Sequence, residues 1–487
     1  MSLHQITTPE SPHVAIIGGG IAGSTAAIHL AEQGIKVTLL EQGPGLVNGP
    51  PICHLHAGGN LYREISLQQC ISLLEQSIET VRLYPHAVNI RPTVIVTPVQ
   101  DRGSAQALLP RLEAIQSAYK NLVAQDPKNA VLGEPDSYYK LYQREELEQL
   151  AQCEQPIKPE TVDDWMIPFA KQAQLDQIKY PVVAVQEFGL SLFRLSASVT
   201  LSLKDHPNCT VLTGCCLKAA DKRDTGWTLN YQNAYGKDRQ LEVDYLINAS
   251  GYKTGVIDDM TGQPQQRLVE FKSAYITHWP DSTMSWPEVI FHGERGTPRG
   301  MAQLTPYADG YFQLHGMTQN ITLFKDGLVA SQSISSHPAL PDRLEQKIIS
   351  GWPRDVMEQR TERAIQHMSQ YLPAFISAEV GGKPLFGAQQ IPGKDASLRA
   401  ADVSFTDNNY ARIEIVKASS AYQAAKKIEH QLMEVTGWIS SRSSDAVTTS
   451  VEEMHPRLAS LDRGRVERTA RDLAQQRNYP EALAKLT

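Results

Sequence analysis

Gly18, Gly20 and Gly23 stand at Gly-x-Gly-x-x-Gly spacing within VAIIGGGIAGSTAAIHLAEQGIKVTLLE, residues 14–41, and their use would be to admit a pyrophosphate. The first glycine allows a tight turn, the second lets backbone approach the phosphates, and the third lets a helix pack closely on a strand. Ile21 and Ala22 open that helix, where free N–H groups and the positive dipole end suit anionic oxygens. Glu41 closes the stretch with a carboxylate able to accept from ribose hydroxyls, and its charge would repel the extra phosphate of an NADP-type ligand.

The elements needed to position these groups are all readable. Val14-Ala15-Ile16-Ile17 is a short apolar run suited to a strand buried on both faces. Ala26, Ala27, Leu30 and Ala31 recur at helical spacing, Gly34 ends the helix, and Val37 to Leu40 forms a second buried strand. A lone glycine motif would indicate only a strand-to-helix turn. Here strand, glycines, small-residue helix, second strand and terminal acid agree on dinucleotide binding.

Composition narrows the class. A chain of 487 residues exceeds one compact core and suggests two closely built domains. Its 41% hydrophobic and 20% charged content is that of an ordinary soluble globular protein. A net charge of −7 argues against nucleic acid as the main partner. No apolar run reaches membrane-spanning length, and Met1 to Pro12 lacks both a basic start and an apolar core, so a cytoplasmic protein without a transmembrane segment is expected. The six cysteines show neither CxxC nor metal-like spacing, which gives no metal site and no dithiol to relay electrons. Cys215-Cys216 reads as an adjacent pair within a strand, with thiols on opposite faces.

Along the rest of the chain, Ser66–Leu83, Arg111–Ala124, Arg144–Cys153 and Leu190–Leu203 read as helices. Val94–Val99, Pro181–Gln186, Val211–Lys218, Trp227–Tyr231 and Asp244–Ala249 read as strands. Met301–Pro306 and Tyr311–Met317 flank an Ala308-Asp309-Gly310 turn as a hairpin. Leu344–Tyr371 is helical with a break at Gly351-Trp352-Pro353, and Arg412–Val416 is a last strand before a helix opening near Ser419-Ser420. Ser440–Ser450 resembles a linker to a helical tail in which Leu458, Leu461, Val466, Ala470 and Leu473 share a face, which is expected to dock on the protein's own surface.

Three later stretches carry a resemblance. Gln186-Glu187-Phe188-Gly189-Leu190, Asp244-Tyr245-Leu246-Ile247-Asn248-Ala249-Ser250-Gly251 and His56-Ala57-Gly58-Gly59-Asn60 are similar to segments of the FAD-dependent D-amino-acid oxidase and glycine oxidase superfamily. The resemblance implies an α/β fold: a Rossmann-like FAD-binding domain interleaved with a largely antiparallel substrate domain, plus the helical tail. The expected division gives the FAD-binding domain residues 12–85, 181–256 and 378–436. A cap or substrate segment takes 86–180, the substrate domain 257–377, and linker and tail 437–487. It also implies FAD contacts at Gln42, Gly58, Leu217, Ala249, Ser250, Gly251, Ser419 and Ser420, beside the fingerprint residues. His56 would then stand near the flavin, to orient substrate, move a proton or link covalently to the cofactor. Lys383, in Gly382-Lys383-Pro384, takes the slot of an arginine that relatives use for substrate. Arg299, before the strand at Met301, is a second candidate for an anionic substrate.

One fingerprint and no dithiol favour direct reduction of the flavin by a small, carboxylate-bearing substrate at a C–N or C–O bond. The electron acceptor, whether oxygen, a quinone or a protein, stays open. The alternatives are a monooxygenase or reductase visited by NAD(P)H and a non-catalytic FAD-binding scaffold. The helix opening at Ser419-Ser420 would turn its positive end to the ring edge that gains charge on reduction.

Overall fold

The computed structural model describes residues 11–49, 55, 65–438 and 450–486. Short apolar segments buried on both faces associate side by side, and the first of them, His13–Ile17, becomes the centre of a six-stranded sheet. Its neighbours are Lys36–Leu40 and Tyr245–Asn248, both parallel to it, with Ile17 level with Leu40 and Asn248. Cys209–Leu212 continues the parallel sheet beyond Lys36–Leu40, and Tyr410–Ile413 does so beyond Tyr245–Asn248. Val403–Asp407 closes that edge as an antiparallel partner. The shared register brings the carboxyl ends of three strands together, so Gly18, Glu41 and Ala249 meet at one crevice. Helices Ile21–Glu32 and Ala421–Thr436 pack against each other over this sheet.

The second sheet has ten strands. Its centre is the long Arg267–His278, which pairs antiparallel with Tyr311–Gly316, Leu328–Ala330, Glu379–Val380 and Leu385–Pro392. Ala302–Pro306, Glu288–Phe291, Thr93–Pro98, Ile178–Val185 and Tyr139–Tyr142 extend it, with one parallel pair between Glu288–Phe291 and Thr93–Pro98. Alternation divides its faces. Phe271 and Tyr275 turn toward the aromatic clusters beneath helices Asp342–Ser350 and Arg354–Met368. Ala274 and Ile276 pack with Phe193 and Ala197 of helix Leu192–Leu203, on the side of the nucleotide domain. Asp258, Arg267, Tyr410 and Arg412 form a buried polar hub between the two sheets: Asp258 accepts from Tyr410 Oη at 2.6 Å, from Arg412 Nε at 2.8 Å and from Arg267.

Several expectations are corrected. Val211–Lys218 is two strands, not one. Gly214 at φ +67° turns the chain, its N–H bonding Gly43 O, so Cys209–Leu212 stays in the parallel sheet while Cys216–Arg223 begins a three-stranded one. Cys215 therefore lies at the corner. Asp238–Val243, the outer strand of that small sheet, is polar and largely exposed, so its sequence gave no apolar signal. The last strand is Tyr410–Ile413 rather than Arg412–Val416, displaced toward the Asn408-Asn409 turn that joins it to its antiparallel partner. Ile178–Val185 and Leu385–Pro392 belong to the ten-stranded sheet, which moves the second FAD-domain piece past residue 185 and takes 385–392 out of the last piece.

In the tail, helix Arg463–Gln476 lays Val466, Ala470 and Ala474 onto helix Leu192–Leu203, so this segment docks on the protein's own surface. Of the expected linker only Ser450 is among the described residues. No helix among them is long and apolar enough to cross a membrane, and no group of three His, Cys, Asp or Glu could hold a metal ion.

Candidate active site

The crevice at the strand tips is shaped by glycines with different burdens. A Cβ on Gly18, whose φ is +105°, would lie 2.4 Å from Ala249 O, and one on Gly23 would lie 1.9 Å from Gly18 O. Those two positions hold helix, turn and neighbouring strand in contact. A Cβ on Gly20 would meet nothing within 4 Å, and its backbone is ordinary extended chain at φ −67°. Gly20 thus faces open space at the start of helix Ile21–Glu32, which has no side-chain cap. Uncapped N–H groups there can receive anionic oxygens.

Glu41, half-buried, accepts from Gly19 N at 2.6 Å and Gly43 N at 2.5 Å. Its carboxylate is thereby fixed between fingerprint and loop, while the following Gln42 is exposed. Ala249 is buried, Ser250 Oγ donates to Ile17 O at 3.2 Å, and Gly251 is exposed at φ +60°. Leu217 is half-buried in strand Cys216–Arg223, packed toward the cluster of Ile17 and Leu40. Ser419 and Ser420 sit in a buried turn before helix Ala421–Thr436. Ser420 Oγ donates to Gln76 Oε1 at 2.7 Å, whereas Ser419 Oγ is buried without a hydrogen-bond partner. A buried unpartnered hydroxyl is costly unless a ligand completes it. The open space at Gly20, the uncapped helix start and this hydroxyl together fit a phosphate-bearing cofactor.

The nucleotide-facing side of the ten-stranded sheet supplies the other wall. On Arg267–His278, Glu270 and Lys272 share a face with Ala274 and Ile276, and Gln389 lies opposite Glu270 on the neighbouring strand. Lys272 Nζ lies 2.8 Å from Glu270 Oε2, and Arg295 pairs with the other oxygen of the same carboxylate. Burial pushes the Glu270 carboxyl up, but Lys272 and Arg295 outweigh it and leave it below its ordinary value. Burial draws the Lys272 ammonium down against the pull of Glu270. His315 is pushed down to about 3 by burial and then by Lys272, so its ring is neutral. Gln389 donates from Nε2 to Val416 O, tying this wall to the segment before Ser419. Further along the sheet, Glu288 accepts from Arg91 at 3.3 Å and from Gln303 at 2.5 Å, and burial pushes its carboxyl up against the pull of Arg91.

Comparison with known proteins now becomes decisive for the fold. Residues 13–84 match the DAO family model, described as FAD dependent oxidoreductase. Glycine oxidase from Geobacillus kaustophilus superposes with a TM-score of 0.55 at 10% identity, covering 89% of this chain and 99% of that one. L-amino acid deaminase from Proteus vulgaris gives 0.56 at 12% identity, covering 95% and 100%. Residues 13–84 thus resemble the FAD-dependent oxidoreductase family, and the whole chain shares the fold of these enzymes. The FAD-bound L-alpha-glycerophosphate oxidase from Mycoplasma pneumoniae gives 0.52 at 15% identity, covering 88% and 96%. Among curated proteins, carotenoid phi-ring synthase from Streptomyces griseus is 59% identical over 39 residues, only 8% of this chain and 8% of that protein. At such identities the structural likeness speaks for the fold.

The basic residues named from sequence have these surroundings. Arg299 is exposed, and its charge reaches Tyr371, which stacks on Phe291 on the helix-covered side of the sheet. Arg299 stands in the turn of residues 296–300, just before strand Ala302–Pro306. Lys383 is exposed and lies over the Tyr479 ring, 4.3 Å from its centroid, so it serves tail docking. His56 and Gly58 lie outside the described residues. Sequence reasoning missed Glu270, Lys272 and Arg295. The signal was weak: Glu270 and Lys272 alternate within RLVEFKSAYITH as they would in a half-exposed strand, whereas this one is largely buried.

Proposed function

We propose that the chain is an FAD-dependent oxidoreductase that oxidises a C–N or C–O bond of a small carboxylate-bearing molecule. The cofactor is FAD, and when bound it supplies the two-electron acceptor that the side chains cannot provide. Gly18, Gly20, Ile21, Ala22 and Gly23 receive the pyrophosphate. Glu41 and Gln42 receive the adenosine ribose, and Leu217 with Ala249, Ser250 and Gly251 borders the nucleotide. Ser419 and Ser420 present a helix start to the ring. His56 keeps the orienting or proton-moving part that the superfamily resemblance implies.

The observation that carries the substrate reading is the Lys272–Glu270–Arg295 group on the sheet face turned toward the nucleotide domain. Two cations, largely buried Lys272 and exposed Arg295, share one carboxylate and leave net positive charge there, and a substrate carboxylate answers it. Glu270 fixes Lys272 in place, and neutral His315 beside it adds no competing charge. The likeness in fold to glycine oxidase, L-amino acid deaminase and L-alpha-glycerophosphate oxidase supports this breadth of substrate.

The test is the absorption spectrum of purified protein, followed by anaerobic mixing with amino, imino and hydroxy acids. A flavin spectrum bleached by one of these acids is expected. Protein without flavin that also binds none on reconstitution would overturn the cofactor. Rapid bleaching by NADH or NADPH, with none by any acid, would move the chain to a reductase or monooxygenase role.

A further inference from the structure

The C-terminal helical segment does more than cover apolar surface. Beyond helix Arg463–Gln476, Arg477 reaches the loop that follows strand Lys36–Leu40. Its Nη1 donates to Val47 O at 2.8 Å, and its Nη2 donates to Leu46 O at 3.0 Å and to Ser196 Oγ at 3.0 Å. Ser196 Oγ itself donates to Leu46 O at 2.8 Å, and the guanidinium lies 5.9 Å from the centre of the Phe193 ring. Two adjacent carbonyls are thus gathered by one planar fork, which suits arginine and not lysine.

The gathered loop lies directly on the fingerprint. Val47 N donates to Gly19 O at 2.8 Å, and a Cβ on Gly19 would come within 2.7 Å of Leu46 Cδ2. Gly43 N, in the same loop, holds one oxygen of Glu41 while Gly19 N holds the other. The loop conformation therefore decides where Glu41 stands. Val47 takes φ +52°, a left-handed backbone that a β-branched residue adopts only when its surroundings enforce it. Arg477 is that surrounding at both carbonyls flanking the strained residue.

The other end of the segment is anchored on the second domain. Tyr479 Oη donates to Pro384 O at 3.1 Å, and Lys485 pairs with Asp309, at the tip of the hairpin, at 2.6 Å. On the nucleotide-domain side, Ser191 Oγ at the start of helix Leu192–Leu203 donates to Leu483 O at 3.4 Å. We infer that residues 463–486 form a strap whose Arg477 is a positioning residue for the cofactor: it holds the 42–48 loop, and through it Glu41, in the shape that retains FAD. This rests on the FAD reading above.

The test compares apoprotein of the full chain with its Arg477→Ala, Arg477→Lys and Lys485→Ala variants. FAD affinity is measured by quenching of flavin fluorescence, and exchange of the Val47 amide by hydrogen–deuterium exchange. Loss of three charge-assisted bonds, two of them to the loop carbonyls, in Arg477→Ala should weaken FAD binding by about tenfold or more and speed exchange at Val47. Arg477→Lys, which keeps the charge without the fork, should fall between and stands in if the alanine variant fails to fold. Lys485→Ala removes only the far anchor and should leave FAD affinity unchanged. Unchanged FAD affinity in both Arg477 variants overturns the strap while leaving the FAD reading intact. Equal weakening in Lys485→Ala also overturns it, since general tail docking would then be responsible. Wild-type apoprotein that binds no FAD defeats the underlying reading instead.

Discussion

Replacing Gly20 by valine separates the cofactor's needs from the fold's. At this position the backbone is extended, φ −67° and ψ −177°, and a Cβ meets nothing within 4 Å. The ligand-free protein should therefore accept the side chain with a stability change within roughly 0.5 kcal/mol, as for a surface site. The added methyls point into the space where backbone must approach a pyrophosphate. Holding the phosphates off forfeits two or three charge-assisted N–H···O bonds at about 1.5–3 kcal/mol each. Two such bonds give about 3–6 kcal/mol, which is roughly 10²–10⁴ in Kd. Gly23→Ala is the contrasting perturbation, because its Cβ would sit 1.9 Å from Gly18 O and something in the turn must move. The assay pairs thermal unfolding of the apoprotein with titration of FAD. Gly20→Val should melt with the wild type and fail to bind, whereas Gly23→Ala should melt lower even without cofactor. A Gly20→Val protein that folds and carries a full complement of FAD would falsify the placement of the pyrophosphate.

Three further outcomes are expected. Lys272→Met should retain FAD yet raise KM for carboxylate substrates by about tenfold or more, seen in steady-state kinetics; an unchanged KM removes Lys272 from the substrate wall. Asp258→Ala leaves Arg267 and Arg412 buried without their shared carboxylate, which should cost about 3–5 kcal/mol in denaturant unfolding. Glu452 on the tail side is raised by burial but lowered more strongly by its bonds to Arg82, which bring it from 4.5 to about 2. Because the folded value is the depressed one, its contribution is full above pH 4.5 and is lost as pH falls toward 2. Limited proteolysis with an acid-tolerant protease should therefore cut near residue 452 more slowly in wild type than in Glu452→Gln above pH 4.5, and the difference should vanish at the acid end of that window.

The nucleotide half was legible because its strands are covered on both faces and read as unbroken apolar runs, while its glycines stand where a turn demands them. The interleaving of the two domains was legible from the order of such runs. The sheet wall was not. Glu270 and Lys272 carry an alternation that any half-exposed strand would show, and only pairing with Tyr311–Gly316 and Leu385–Pro392 turns them toward the nucleotide domain. Leu385–Pro392 itself was placed in the wrong domain because strand pairing between segments a hundred residues apart leaves no local trace. The corner at Gly214 was hidden for the opposite reason. The apolar residues on either side continue one another in sequence, although a single left-handed glycine sends them into different sheets. The surroundings of Arg299 and Lys383 were not legible, because a charge in a loop carries no information about which face that loop presents.

The placement of strand His13–Ile17 between Lys36–Leu40 and Tyr245–Asn248 has a consequence for biosynthesis. About 200 residues separate its first partner from its second, and at about 5–20 residues per second their translation takes roughly 10–40 s. Throughout that interval the nascent chain holds a strand–helix–strand unit with one flank of its most apolar strand bare, the kind of edge to which another chain can add. The outer strand of the same sheet, Tyr410–Ile413, emerges later still. Chains halted before residue 245 should therefore aggregate rather than accumulate as a nucleotide-binding fragment, and chaperone capacity during translation should govern the yield of the intact protein.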